Sequence, residues 1–446
     1  MSTSSLGIVE ASRLIAEGQV SSRQLIDDCL KRIEEFEPSI HAWAHLDADY
    51  ARDQADARDK QRRTGRPIGP LHGIPIGLKD IIDSTSLPCE FGSPIYAGRK
   101  PTRDSTVVSR LRQAGAVIMG KTVTAEFASY TPGATTNPHD SSRTPGGSSS
   151  GSAAAVAAHM VPGAIGTQTN ASVIRPASFC GVVGFKPSFG VISRRGVMTF
   201  SGALDTVGVL ARSLPDAALL TDALAGFDAG DEATAPPSAH PQMARIAAET
   251  PPAPPKLGFV KTPMWDQAQA QMQEAMGEIA EALGNRADWA DLPQSFDNAV
   301  RWQSVIMEAE GARNFAREYG QNPDELGPEF RATLERGLSH SATDYIAALE
   351  ARDGLNGILD EMFETYDALV MPASPGEAPV GLDTTGNPVF GTICSLVGTP
   401  SVSLPLLQGE NGLPMGVQLF AKRGDDARLL RTAAWLNRQV TDEDGE

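Results

Sequence analysis

Pro145-Gly146-Gly147-Ser148-Ser149-Ser150-Gly151-Ser152 runs straight into Ala153-Ala154-Ala155-Val156-Ala157-Ala158, and an apolar stretch, Val161 to Ile165, then leads to Gly166-Thr167-Gln168-Thr169-Asn170-Ala171-Ser172. The first tract reads as a tight loop entering a helix, which gathers backbone N–H groups and hydroxyls at the helix N-terminus. A flexible Gly/Ser linker has no apolar helix and strand attached to it. Working outward, strands and helices alternate from residue 73 to 226, including a helix over 106–114 and a strand over 116–119. That alternation predicts an α/β fold, a twisted sheet sandwiched between helices.

Upstream, Ile74-Pro75-Ile76-Gly77-Leu78 precedes Lys79 and Ile81-Ile82 follows it, the pattern of a buried strand running into a loop. A charged ammonium is costly there. Two readings of Lys79 stand side by side: a salt bridge to Asp80 or Asp83 that holds it charged and inert, or a neutral amine that serves as a base. The second needs the ordinary value of about 10.4 lowered by several units through burial or nearby positive charge. Such a base matters because a serine hydroxyl is a weak nucleophile until its proton is taken. None of the 7 histidines sits in a recognisable catalytic setting; His72 precedes a Gly-Ile-Pro turn, His139 follows Asn137-Pro138, and His240 lies in a Pro-rich segment.

On these residues the stretch from Leu71 to about Leu224 resembles the amidase signature family, whose members hydrolyse amides with a Ser-Ser-Lys triad. Gly77-Leu78-Lys79-Asp80 is similar to its lysine motif and Pro145-Gly146-Gly147-Ser148-Ser149 to its bridging-serine motif. Gly166 through Ser172, followed by Arg175-Pro176 and Phe179-Cys180-Gly181, is similar to its nucleophile motif. Gly184-Phe185-Lys186-Pro187-Ser188, Leu204-Asp205-Thr206-Val207-Gly208 and, near the C-terminus, Gly412-Leu413-Pro414-Met415-Gly416 look like further landmarks.

The resemblance implies a large mixed sheet and one domain over residues 1–446, with core motifs in 71–226 and 366–435 and a more variable helical region at about 257–365. It implies Ser172 as nucleophile, Lys79 as base and Ser148, in a cis peptide, as the relay between them. Backbone N–H groups of Thr169, Asn170, Ala171 and Ser172 would hold the oxyanion. Two departures stand out: the family usually has Gly-Gly where this chain has Asn170-Ala171, and aspartate where it has Gln168. An alanine where glycine permits positive φ puts the conformation of the loop in question.

Gly115 through Thr122 also satisfies the G-x-x-x-x-G-K-[ST] phosphate-loop pattern. Its middle residues, Ala116-Val117-Ile118-Met119, are themselves the apolar strand, so the glycines read as punctuation of a buried strand. The net charge of −17 disfavours nucleic acid and anionic membrane surfaces as partners. Cys29, Cys89, Cys180 and Cys394 show neither metal-ligand nor disulfide-rich spacing and read as buried free thiols. With no secretion signal and no bilayer-length apolar run, the expectation is a cytoplasmic enzyme, monomer or homodimer, that needs no metal or organic cofactor.

The segments 127–136, 194–202 and 374–393 are mostly uncharged and are expected to shape the pocket, with Phe127 and Tyr130 as substrate contacts. Arg175 has two roles open to it, binding a substrate carboxylate or bracing the loop. Neutral apolar or aryl amides are the expected substrates. Carbamates and esters undergo the same acyl transfer, and the resemblance extends to carbamate-cleaving (urethanase) members. Two other classes stay in view: a glutaminase-like subunit of a tRNA amidotransferase, and a catalytically silent binding protein of the same fold.

Overall fold

The computed structural model describes residues 2–234 and 242–442. The Pro-rich segment that holds His240 lies in part outside the described residues, His240 included. Eleven strands form one sheet: β1 (Trp43–Leu46), β2 (Pro75–Lys79), β3 (Val117–Thr122), β4 (Gly163–Gln168), β5 (Val183–Lys186), β6 (Thr206–Ala211), β7 (Leu257–Lys261), β8 (Ala287–Asp291), β9 (Ala368–Pro372), β10 (Ser401–Gln408) and β11 (Pro414–Phe420). Their order is β1-β3-β2-β4-β6-β5-β10-β11-β9-β7-β8. The sheet is mixed. β2 lies parallel to both β3 and β4, antiparallel pairs carry the sheet from β4 to β9, and β7 is parallel to β9 and β8.

The strands β2, β3 and β4 are buried along their whole length. Parallel strands covered on both faces read as continuous apolar runs, which is why Ile74 to Leu78 and Val161 to Ile165 stand out in the sequence. The helix Ser150–Ala157 packs on β4 and β2, and Leu214–Leu224 on β6. The stretch expected to be helical, 257–365, contributes β7 and β8 to the sheet as well as its helices. Their apolar runs are short, and the pairing partner β9 lies more than a hundred residues downstream of β7, out of reach of local pattern.

Near the N-terminus, the Ser21 side chain accepts from the Gln24 N–H at 3.0 Å, as its capping position predicts. The helix it starts, Ser22–Ile40, carries Pro38 in its last turn before ending at His41. The phosphate-loop lookalike is strand β3, and Lys121 within it is in a buried ion pair with Asp80 at 2.9 Å. All four cysteines are buried and free. Among the described residues no helix is long and apolar enough to cross a membrane.

Candidate active site

Lys79 is the last residue of β2 and is 0% exposed. Its Nζ donates to Ser148 Oγ at 2.8 Å and to Thr167 Oγ1 at 2.9 Å. The carboxylates next to it in sequence are occupied elsewhere: Asp80 pairs with Lys121 at 2.9 Å and Asp83 with Arg99 at 2.7 Å. Buried among hydroxyls and with no paired carboxylate, the Lys79 amine is brought down to about 7 by desolvation, against a smaller upward pull from Asp205. Asp205 is itself buried, and desolvation lifts its carboxyl to about 6. It accepts from Thr169 Oγ1 at 2.6 Å and from the Phe200 and Ser201 N–H groups at 2.7 and 2.9 Å.

Ser148 sits on the loop that enters the helix Ser150–Ala157, and the Gly147–Ser148 peptide is cis. Its neighbours stitch that loop to the end of β4. Ser149 Oγ accepts from the Thr167 N–H and reaches the Thr167 carbonyl, both at 3.2 Å, and the Ser149 N–H donates to the Ser172 carbonyl at 3.3 Å. Thus Lys79 and Ser148 are in direct contact, and Ser172 is tied to the same loop through its backbone.

Ser172 follows β4 on the turn into the helix Ile174–Cys180. Gln168 Oε1 accepts from the N–H groups of Val173 and Ile174 at 2.9 and 3.1 Å, doing for that helix start what a carboxylate oxygen would do. The amide nitrogen that aspartate lacks donates to Ser395 Oγ at 3.0 Å, and Ser395 Oγ in turn donates to the Gly391 carbonyl at 2.7 Å. Ala171 adopts φ 61°, the left-handed conformation a glycine would take. Its methyl has room because residue 391 is glycine: a Cβ there would lie 2.4 Å from the Ala171 Cβ.

Among the described residues the backbone N–H groups of Thr169, Asn170 and Ser172 donate to no protein acceptor, while that of Ala171 reaches Ser395 Oγ at 3.5 Å. The Ser172 side chain makes no hydrogen bond among them either, and it lines a narrow cavity with Tyr130, Thr169, Asn170, Phe200 and Met307. An unpaired hydroxyl, free N–H groups beside it and a buried, deprotonatable amine at the end of β2 are the kinds of group that acyl transfer requires. Residues 24–430 match the family described as Amidase.

The chain belongs to the amidase family. At 35% identity, covering 98% of this chain and 97% of the relative, it is similar to a glutamyl-tRNA(Gln) amidotransferase subunit of Salinispora arenicola. A native peptide amidase from Stenotrophomonas maltophilia superposes with TM-score 0.84 at 29% identity, covering 98% of this chain and 97% of that one. A chain from a vestigial protein complex bearing on the origins of an s-triazine catabolic enzyme gives TM-score 0.91 at 30% identity, with 99% of each chain covered.

Within this amidase the expected pocket residues part company. Tyr130 lines the cavity. Phe127 is 0% exposed and packs its ring against Tyr96, Phe315 and Phe330, so it anchors the loop that carries Tyr130. Arg175 is buried and donates through Nη2 to the Gly147 carbonyl at 2.7 Å and to Thr385 Oγ1 at 3.0 Å, bracing the bridging-serine loop. Desolvation lowers its guanidinium to about 10.

Sequence reading singled out neither Thr167 nor Asp205 as functional, although both lie inside quoted motifs. Gln303, from the helix Ala299–Asn314, touches the site with no sequence signal at all. Its Nε2 donates to the Thr169 carbonyl at 3.3 Å and its Oε1 accepts from Asn170 at 3.3 Å.

Proposed function

We propose that the chain hydrolyses amide C–N bonds through an acyl-enzyme on Ser172, with Ser148 as relay and Lys79 as base. The observation that carries this reading is the Lys79 amine, fully buried, held by the Ser148 hydroxyl at 2.8 Å and drawn down to about 7. Neutral Lys79 takes the Ser148 proton as Ser148 takes that of Ser172, and Ser172 Oγ bonds to the substrate carbonyl carbon. Backbone N–H groups of residues 169–172 receive the oxyanion. As the C–N bond breaks, the proton returns from Lys79 through Ser148 to the leaving nitrogen, and water then releases the acyl group by the same relay.

Phe200 and Met307, beside Tyr130 in the cavity lining, favour neutral apolar or aryl amides. Carbamates and esters present the same carbonyl to the same groups. Arg175 braces the Gly147 carbonyl through Nη2 alone, and its buried Nε and Nη1, without a partner among the described residues, keep small acid amides in the comparison. The purified chain is to be assayed on aryl amides, small acid amides, carbamates and glutamine, with Ser172→Ala as control. Turnover of neutral amides that vanishes in Ser172→Ala is expected; turnover of acid amides alone would sink the neutral-pocket reading.

A second reading has its own support in the relatives named as glutamyl-tRNA(Gln) amidotransferase subunits, one of them 35% identical over 98% of this chain. Under it the substrate is glutamine. Ammonia release from glutamine, with neutral amides untouched, would favour this reading over the first.

A further inference from the structure

Among the described residues, the Tyr130 hydroxyl lines the cavity beside the nucleophile together with those of Ser129, Thr169 and Ser172. Its partners are weak. Asn170 Nδ2 lies 3.4 Å away, and the Sδ of Met307, a poor acceptor, lies 3.9 Å away. A good O–H···O bond is about 2.7–2.8 Å, so a substrate oxygen entering the cavity would displace the thioether as the acceptor. Burial lifts the phenol above its ordinary value, which keeps it a donor throughout the neutral range.

Tyr130 is also well placed to be specific, because everything around it is fixed. It follows two consecutive left-handed residues, Phe127 and Ala128 with φ 47° and 57°, in a loop held by the buried ring of Phe127. Glu126, at the start of that loop, accepts from Ser93 Oγ at 3.1 Å and from the Gly327 N–H at 2.8 Å. On the other side, Asn170 is held by three elements at once: Tyr130, Gln303 Oε1 at 3.3 Å, and Thr392 Oγ1 on its Oδ1 at 3.0 Å. The glycine that the family usually carries at position 170 would supply none of these contacts. Asn170 thus brings a side chain to the nucleophile loop, and its carboxamide is directed at the cavity-lining phenol.

We propose that Tyr130, preset by Asn170, is a specificity-determining hydrogen-bond donor for an ether, ester or carbonyl oxygen on the acyl side of the scissile amide. This rests on the acyl-enzyme reading, since Asn170 precedes Ser172 by two residues and the acyl group is bonded there. The substrate class follows: neutral amides whose acyl chain carries an oxygen on the carbon next to the scissile carbonyl are preferred over hydrocarbon chains of equal length.

The test compares the p-nitroanilides of methoxyacetic and butanoic acid, which match in length and differ by oxygen for methylene. In Tyr130→Phe both are expected to slow, and the methoxyacetyl-to-butanoyl ratio of kcat/KM to fall about fivefold. Asn170→Gly, which leaves the phenol in place and removes its support, is expected to lower the ratio in the same direction by a smaller factor. Ratios in both variants within about twofold of the unmodified protein would overturn the subsite. Ser172→Ala separates this failure from that of the underlying reading: full activity in Ser172→Ala overturns the acyl-enzyme itself, whatever Tyr130 does.

Discussion

Lys79 and Lys121 stand on neighbouring parallel strands, and both are 0% exposed. Lys121 is registered against Leu78, and Lys79 against Thr122. Because side chains alternate along a strand, Lys121 shares a face with Leu78 and therefore with Asp80, two residues on, while Lys79 points the other way. The consequence is visible in the contacts. Asp80 goes to Lys121, and Lys79 is left with Ser148 and Thr167. Two equally buried amines thus acquire different chemistry from one step of register, one locked in an ion pair and the other able to give up its proton near neutrality.

The sharpest way to break this contrast is to remove each amine in turn. Lys79→Met should reduce kcat on a neutral amide by about 10²–10⁴-fold with the fold retained, as measured by steady-state assay and circular dichroism. An active Lys79→Met protein would end the proposal that this lysine is the base. Lys121→Met should behave in the opposite sense, leaving Asp80 buried without its cation and costing about 3–5 kcal/mol in urea unfolding. If Lys121→Met proves as stable as the parent chain, the ion pair is not structural.

The next effect is on pH dependence. Only the unprotonated Lys79 can accept, so kcat/KM should climb tenfold per pH unit up to about 7 and level off above it. At pH 5 it should stand at about one hundredth of the plateau. A profile that is flat from pH 5 to 8 would contradict a lysine base.

Smallest is the packing effect at the nucleophile loop. Gly391→Ala drives a methyl to within 2.4 Å of the Ala171 methyl and should cost about 1–3 kcal/mol in unfolding experiments. Ala171→Gly in the same chain should recover part of that loss. No recovery would mean that the two residues are not coupled.

The strand ending in Lys79, the small-residue loop at Ser148 and the turn at Ser172 were legible because each is punctuated locally: apolar run, then Gly, Ser or Asp. Which amine Asp80 would pair with was not legible: the sequence offered it to Lys79, and the alternation that sends it to Lys121 becomes decisive only once β3 is known to lie alongside β2. Phe127 and Arg175 show the limit. Their motifs place them beside the site in sequence, but an aromatic cluster drawing on residues 96, 315 and 330, and a backbone carbonyl at 147, fix which way they face. Gln303 and Thr392 reach Asn170 from segments 133 and 222 residues away, and nothing in a one-dimensional pattern announces such meetings.

The four buried thiols have a practical consequence. Desolvation pushes Cys29, Cys89 and Cys394 up to about 12 and Cys180 upward as well, so little thiolate is present to react. Alkylating agents and mild oxidants find no ready thiol in the native state, and a reagent that inactivates the folded protein by covalent attachment reports on a hydroxyl or an amine rather than on sulfur.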